Sequence, residues 1–231
     1  MIDHTVSSST SRALELGCWA LGAILMALYF GARAYGASES RDGIMKFAEA
    51  RAAMESEAAS SPSSGNRSDT HLEEAAGFEQ TEGLSNGAPE DRAGALPGIE
   101  SADRPLAVLR LHRVALEVPV YGDVGTRNLN RGAGLIAGTG LPGGEGNVAI
   151  AAHRDSYFRV LEHVVVGDIL VLESLAGPRR YRVTELSIVE PHDLTPLDEL
   201  GISAVTLVTC YPFYFVGSAP QRYIVRAVAI E

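Results

Sequence analysis

Short runs in which apolar and polar side chains alternate fill the C-terminal half of the chain. The alternation predicts β-strands over 106–111, 116–121, 134–139, 147–152, 169–173, 180–189, 205–210 and 223–230, the run at 134–139 being the weakest. Short helices are predicted over 157–163 and 197–200. Clusters of Gly, Pro and Asn separate the runs, as in 141–147. Seven or eight strands within 105–231 predict an all-β domain, either a barrel or a sandwich.

An uncharged segment near the N-terminus has a different pattern. Residues 16–32 contain no charged side chain, and a helix of about 17–22 residues is ~26–33 Å long, enough to cross the apolar part of a bilayer. Aromatic residues typical of the membrane interface lie towards its ends, at Trp19, Tyr29 and Tyr35. We interpret 13–35 as a transmembrane signal anchor after a short cytoplasmic tail, 1–12. A signal peptide cleaved at Ala32-Arg33-Ala34 is the alternative.

Residues 36–104 form an acidic connection between these two parts. They carry 14 acidic and six basic side chains, which is most of the formal net charge of −10. Residues 39–59 are rich in Ala, Glu, Arg, Met and Lys and predict a polar helix that continues from the membrane. Residues 60–104 contain few large apolar side chains and predict a disordered linker. As a coil, 36–104 would span ~45 Å on average.

The charged and sulfur-containing residues limit the possible functions. The acidic balance argues against nucleic acid as a partner, since phosphate neutralisation needs clustered Lys and Arg. The single lysine, Lys46, lies outside the β-rich domain, which excludes Schiff-base chemistry and a phosphate-loop lysine there. Cys18 lies in the apolar segment and Cys210 in the β-rich domain, so a disulfide between them is implausible.

Cys210 is the strongest candidate for chemistry. It ends the predicted strand 205–210, and Arg222 opens the next strand. If these strands pair antiparallel, paired residues lie ~5 Å apart between Cα atoms. His153 follows a third apolar strand, so the thiol, the imidazole and the guanidinium can meet at one rim of a barrel. This combination suits cysteine acyl transfer.

The segments around these three residues resemble the sortases, the cysteine transpeptidases that attach proteins to bacterial surfaces. Thr206-Leu207-Val208-Thr209-Cys210 matches the signature Thr-Leu-x-Thr-Cys of that family. Ala152-His153-Arg154-Asp155 and Ala219-Pro220-Gln221-Arg222-Tyr223 are similar to the segments that carry its histidine and arginine. The likeness covers 105–231, and the loop 211–217 is most similar to Gram-negative (proteobacterial) and class D sortases.

The resemblance implies an eight-stranded sortase-type β-barrel with Cys210 as nucleophile, His153 as general acid and base, and Arg222 binding the substrate carbonyl or oxyanion. Thr209 would assist substrate binding or serve only in strand packing. The substrate implied is an exported protein with a C-terminal Leu-Pro-x-Thr-Gly-like signal, and the acceptor is an amine, with peptidoglycan as one candidate. No cofactor or metal is implied.

Membrane topology follows from the same resemblance. A sortase domain must lie on the extracytoplasmic side of the cytoplasmic membrane to meet exported substrates. The basic residues give the opposite signal, because Arg12 precedes the anchor whereas Arg33, Arg41, Lys46 and Arg51 follow it. We give the resemblance priority and expect a single-pass protein with its catalytic domain outside.

Other interpretations of the same residues stay open. Water in place of an amine would make the protein a thiol protease, and an inactive barrel would be a peptide-binding adaptor of the envelope. Arg222 could instead form a surface salt bridge, and His153, Asp155, His163 and Cys210 could bind a metal, although their spacing is unlike a zinc site. The remaining histidines are interpreted as structural or solvated residues: His4, His71, His112, His163 and His192.

Overall fold

The computed structural model describes residues 7–60, 104–215 and 217–230. It contains a long helix, α1 (Ser7–Ser60), and a short one, α2 (Thr126–Arg131). The strands are β1 (Ala107–Leu111), β2 (Leu116–Tyr121), β3 (Ala133–Leu135), β4 (Asn147–Ala151), β5 (Ile169–Ser174), β6 (Gly177–Val189), β7 (Ala204–Tyr211) and β8 (Gln221–Ile230). Three 3₁₀ segments cover His112–Val114, Tyr157–His163 and Thr195–Leu197. Of the predicted linker 60–104, residues 61–103 lie outside the described residues, as do 1–6, 216 and 231.

The eight strands close into a barrel in the order β1-β2-β3-β4-β7-β8-β6-β5. Two neighbouring pairs, β2 with β3 and β4 with β7, are parallel, and the remaining pairs are antiparallel. The all-β prediction is therefore confirmed, and closure selects the barrel over the sandwich. Closure also removes free strand edges from the sheet.

Most predicted strand positions agree with the structure, and the differences lie in the connections. β3 is shorter than the predicted strand 134–139, because the chain turns at Gly138, which has φ of 82°. The predicted helix 197–200 is a 3₁₀ turn that begins two residues earlier, at Thr195. Helix α2 has no counterpart in the prediction, because its sequence Thr-Arg-Asn-Leu-Asn-Arg carries a single apolar side chain.

Alternation along the strands decides which side chains fill the barrel. In β7, Val205 and Leu207 point into the core, and in β8 Val225 and Ala227 do so. The residues between them face outward. The core is continuous and includes fully buried side chains from several strands, such as Leu109, Val118, Ile150, Leu170 and Leu172. A barrel filled in this way offers a rigid frame for side chains on its outer surface.

Helix α1 has two parts with different surroundings. Its apolar N-terminal part is exposed, and this is a helix long and apolar enough to cross a membrane. From Gly36 onward one face lies against α2, β1 and β2. The buried positions on that face, Ser40, Gly43, Phe47 and Ala50, recur every three or four residues, as expected for one stripe of a helix.

Close approach and ion pairing hold α1 to the barrel. A Cβ atom added at Gly43 would lie 2.5 Å from the hydroxyl oxygen of Tyr121, so only glycine permits this spacing. Further along the helix, Arg51 pairs with the partly buried carboxylate of Glu173 on β5. Arg110 of β1 pairs with the same carboxylate. The predicted polar helix 39–59 thus lies within α1. The sequence did not predict that this helix packs against the barrel. Because 36–60 are helical, the coil estimated for 36–104 can begin only after Ser60.

Candidate active site

Strand pairing brings Cys210 and Arg222 together. In the antiparallel ladder between β7 and β8 these two residues are direct partners. Directly paired residues in such a ladder lie ~4.5–5.5 Å apart between Cα atoms and present their side chains on the same face. Because Val205 and Leu207 point inward, Cys210 points outward, as does Arg222. Both side chains are partly exposed there.

His153 reaches the same place from β4. The parallel register pairs Ala151 with Val208, and the main-chain N–H of Ala152 donates to the carbonyl of Val208 at 3.3 Å. The printed pairing ends there; two further residues along each segment bring the main chain of His153 to the level of Cys210, next to the contacts that Ala152 makes with β7. Val148 and Ile150 point into the core, so alternation directs His153 to the outer face as well. The structure therefore brings the three predicted residues to one end of the barrel's outer surface.

Thr209 fixes the spacing between the two segments. Its hydroxyl donates to the main-chain carbonyl of Ala152 at 2.8 Å, and the side chain is only 2 % exposed. This contact joins the residue before Cys210 to the residue before His153. Burial leaves the hydroxyl little access to a substrate, so any assistance from Thr209 would pass through this hydrogen bond.

A buried polar network joins the same two strands, β4 and β7, closer to their N-terminal ends. The hydroxyl of Thr206 donates to Oδ1 of Asn147 at 2.8 Å, and Nδ2 of Asn147 donates to the carbonyls of Pro196 and Asp198 at 3.0 and 3.1 Å. Both polar side chains are buried and fully used. Satisfied polar groups of this kind specify one arrangement of β4 against β7.

The guanidinium of Arg222 keeps donors for a substrate. Its Nη1 donates to the carbonyls of Ala219 and Gln221 at 3.3 and 3.0 Å, which orients the group. Within 7–60, 104–215 and 217–230 no carboxylate pairs with Arg222, so the salt-bridge alternative finds no support there. Nε and Nη2 can therefore bind a carbonyl oxygen or an oxyanion beside Cys210.

Arg154 is a functional candidate that sequence reasoning did not single out. Its Nη1 donates to the carbonyl of Pro212 at 3.2 Å, and its Nη2 donates to the carbonyls of Phe215 and Gly217 at 2.7 and 3.1 Å. One side chain thus links the residue after His153 to the loop between Cys210 and β8. The only sequence signal was its place beside His153, which does not distinguish a loop contact from a solvated cation.

Aromatic side chains support the site from the inner face. The rings of Tyr211 and Tyr223 stack with centroids 6.1 Å apart, and Phe213 meets Tyr223 edge to face at 5.2 Å. Burial raises the pKa of Tyr223, with a smaller contribution from Tyr211, so this phenol stays neutral at physiological pH. The cluster closes the end of the barrel beneath Cys210 and Arg222.

The other candidates give no second site. Cys18 and Cys210 are both free thiols, as expected from their separate segments. In the part of the chain that the structure describes, no three His, Cys, Asp or Glu side chains are grouped as metal ligands would be, including the set of His153, Asp155, His163 and Cys210. His4 and His71 lie outside the described residues.

A closed eight-stranded barrel with a cysteine, a histidine and an arginine on one outer end defines a narrow class of proteins. The profile of the family described as "Sortase domain" matches residues 109–230. That match covers more than half of the chain, and the chain belongs to the sortase family.

Individual relatives agree with this assignment. Sortase D of Bacillus subtilis (strain 168) is 29% identical over 119 residues, which are 51% of this chain and 60% of the relative. Sortase A of Streptococcus agalactiae serotype III (strain NEM316) is 31% identical over 123 residues, which are 49% and 48% of the two chains. The crystal structure of Streptococcus agalactiae sortase C1 matches with a TM-score of 0.53 at 30% identity, covering 56% of this chain and 69% of that one.

These comparisons limit what can be transferred. The chain spans about half to three fifths of the length of these two curated relatives. The matched proteins are sortases of types D, A and C from Gram-positive bacteria, so the family is confirmed and the closer likeness to Gram-negative enzymes is not. The activity, the substrate and the membrane topology of the whole protein are therefore matters for a proposal.

Proposed function

We propose that this protein is a membrane-anchored cysteine transpeptidase. It cleaves a C-terminal Leu-Pro-x-Thr-Gly-like signal of an exported protein after Thr and transfers the acyl group to an amine. The observation that supports this most strongly is the meeting of Cys210, His153 and Arg222 on one outer end of the barrel. Neighbouring strands carry all three, so the protein frame can hold the reacting groups in position before substrate binds.

In the first half-reaction the thiolate of Cys210 attacks the carbonyl carbon of the substrate Thr. A C–S bond forms and the C–N bond to the following residue breaks. The imidazolium of His153 donates its proton to the departing amine nitrogen. Arg222 binds the carbonyl oxygen while it carries negative charge, using the donors that Ala219 and Gln221 leave available. The product is a thioacyl enzyme.

In the second half-reaction an amine attacks the thioacyl carbon. A C–N bond forms, the C–S bond breaks with its electron pair returning to sulfur, and His153 accepts the proton from the amine nitrogen. Thr209 acts as a positioning residue, because its hydroxyl holds Ala152 and thereby sets His153 beside Cys210. Peptidoglycan amines are one class of acceptor that fits this chemistry.

The apolar part of α1 serves as an uncleaved, single-pass anchor in the cytoplasmic membrane. Its length and exposed apolar surface support this role, and the exported nature of the substrate places the barrel on the extracytoplasmic side. Assignment to the Gram-negative or class D type rests on the sequence of the loop 211–217 alone. Signal-peptide cleavage is tested by N-terminal sequencing of the membrane-bound protein.

Intact mass spectrometry tests the reaction. The full chain in detergent micelles is incubated with a Leu-Pro-x-Thr-Gly peptide, with and without glycinamide. We expect a thioacyl adduct that glycinamide converts to an amide product. Cys210→Ala should lose the adduct and all turnover, whereas Cys18→Ala, which removes the other free thiol, should retain both.

Three other outcomes would contradict the proposal in different ways. Hydrolysis that glycinamide does not divert would indicate a thiol protease. An accessible Cys210 thiol without an adduct, across several sorting peptides, would favour a peptide-binding adaptor. An adduct retained in Cys210→Ala would remove Cys210 as the nucleophile.

A further inference from the structure

A cavity of about 570 Å³ lies between α1 and the barrel, next to the catalytic histidine. One wall belongs to α1 and includes Tyr29, Ala32 and Ala37. The opposite wall includes His153 and Asp155. The cavity is therefore built jointly by the membrane-spanning helix and by the segment that carries the proposed general base.

His153 connects the cavity to the surface that carries Cys210. Neither Cys210 nor Arg222 is among the described residues that line it. His153 lines it and, by register, also lies beside Cys210. A molecule in the cavity would reach the imidazole through a space separate from the surface of β7 and β8, where the donor peptide must meet the thiol. Such a second approach suits the transfer, because the acyl part of the donor still occupies that surface when the acceptor amine arrives.

The lining has the chemistry to bind a primary amine. Asp155 contributes a carboxylate, and Asn130 and Ser156 contribute neutral oxygen acceptors. The neighbouring cation, Arg154, points to the carbonyls of Pro212, Phe215 and Gly217 in the loop after Cys210. Its donors are thereby directed elsewhere, and among the described residues no salt bridge involves Asp155, so that carboxylate remains for an ammonium group.

A hydrogen bond keeps the two walls at a set distance. The hydroxyl of Tyr157 donates to the main-chain carbonyl of Gly36 at 3.1 Å. Burial raises the pKa of Tyr157, so its hydroxyl remains a donor across the physiological range. The lining residues of α1 run from Tyr29 and Ala32, in the last turns of the proposed anchor, to Gly36 and Ala37 just beyond it, so the cavity lies where the helix would leave the bilayer.

We propose that this cavity is the acceptor site, in which Asp155 binds the ammonium form of a primary amine and His153 takes the proton that the amine loses. This inference rests on the proposed function and gives its second substrate, the acceptor amine, a binding site. During the transfer the amine nitrogen forms a bond to the thioacyl carbon, the C–S bond breaks, and the electron pair returns to the sulfur of Cys210. The bound ammonium group loses two protons in becoming the amide nitrogen: one passes to solvent water before the attack, and the other passes to His153 as the C–N bond forms. Asp155 contacts the acceptor and takes no proton.

The test measures how the thioacyl enzyme divides between amine and water. The full chain in detergent micelles is given a Leu-Pro-x-Thr-Gly peptide with either glycinamide, which is largely cationic at neutral pH, or methoxyamine, which is largely neutral. The ratio of amide to acid product isolates the second half-reaction from the first. We expect Asp155→Asn to lower this ratio about two- to fivefold for glycinamide, the range for an exposed ion pair, and to leave it unchanged for methoxyamine.

A second variant fills the cavity from the other wall. Ala37→Trp should lower the ratio with glycinamide about tenfold, because the indole occupies the space that the acceptor needs. Ala48→Trp is the matched control, since Ala48 is exposed on α1 and does not line the cavity. It should behave as the wild type.

The results separate this inference from the function on which it rests. If the wild type forms the thioacyl enzyme and all variants divide it as the wild type does, the acceptor reaches Cys210 elsewhere and the inference is wrong. An equal loss with both nucleophiles in Asp155→Asn would show that Asp155 acts on His153 instead of on the ammonium group. No thioacyl enzyme in the wild type would instead remove the proposed function, and this inference with it.

Discussion

Phe47 provides the most direct test of how α1 is held to the barrel. Its side chain is 2 % exposed, and it is the single large apolar residue among the buried positions of the docking face, where the others are Ser40, Gly43 and Ala50. Truncation of a buried Phe to Ala typically costs about 3–5 kcal/mol. A loss near 3 kcal/mol shifts an equilibrium by more than about 100-fold, since 1.4 kcal/mol is tenfold.

The expected result is local undocking of α1. Phe47 is not part of the barrel core cluster, so Phe47→Ala should accelerate amide hydrogen exchange over 40–55 about 100-fold while leaving 205–210 unchanged. Released from the barrel, the polar part of α1 has little helical stability of its own in water. Mass spectrometry of peptides from the full chain in micelles measures both regions.

Met45→Ala is the matched control for this experiment. Met45 lies two residues away on the same helix but is 56 % exposed, so its truncation should change exchange by no more than about threefold. If both variants exchange alike over 40–55, Phe47 does not hold the helix. If exchange over 205–210 rises as much as over 40–55, α1 and the barrel unfold as one unit and the reasoning is refuted in a different way.

Three further substitutions test the site. Arg222→Lys keeps the charge but loses the forked donors, so kcat/KM should fall roughly 100-fold; rates near wild type would make Arg222 merely structural. Arg154→Ala removes three hydrogen bonds to the loop after the nucleophile and should raise KM more than it lowers kcat. Arg159→Ala should have a smaller effect, because in the described part of the chain its guanidinium makes a single stacking contact, with the exposed ring of Tyr214 in the same loop. Thr209→Val should lower the free energy of unfolding by about 1–3 kcal/mol and reduce kcat, because it removes the hydrogen bond to Ala152. Thr184→Val, which loses an exposed 3.4 Å contact, should leave the free energy of unfolding within about 0.5 kcal/mol of wild type. Equal effects of the two substitutions would refute the positioning role of Thr209.

The barrel could be predicted from the sequence because its strands follow a simple rule. One residue in two faces the core, so apolar and polar residues alternate, as in β7 and β8. The candidate site could be predicted because two of its residues lie at strand ends that adjoin in the ladder, Cys210 and Arg222. Here local pattern and tertiary position carry the same information.

The docking of α1 could not be predicted in this way. Apart from Phe47, its buried positions are small or polar, Ser40, Gly43 and Ala50, and one large apolar residue gives no apolar period to detect. The small residues suit the contact, since a helix without a side chain at Gly43 can approach β2 closely. The role of Arg154 could not be predicted either. Its partners are main-chain carbonyls, which every residue has, so the sequence does not show which of them it binds.

The parallel pairing of β4 with β7 also has a consequence for biogenesis. The hydrogen bond between Thr209 and Ala152 joins residues 57 positions apart, and contacts of such separation form late and slowly during folding. The proposed base, His153, and the proposed nucleophile, Cys210, would therefore meet only when the barrel is nearly complete. Under the proposed function, a chain still crossing the membrane, or one arrested halfway, would carry an unassisted thiol and would not cut the proteins exported beside it. Catalytic competence would thus report completed folding on the far side of the bilayer.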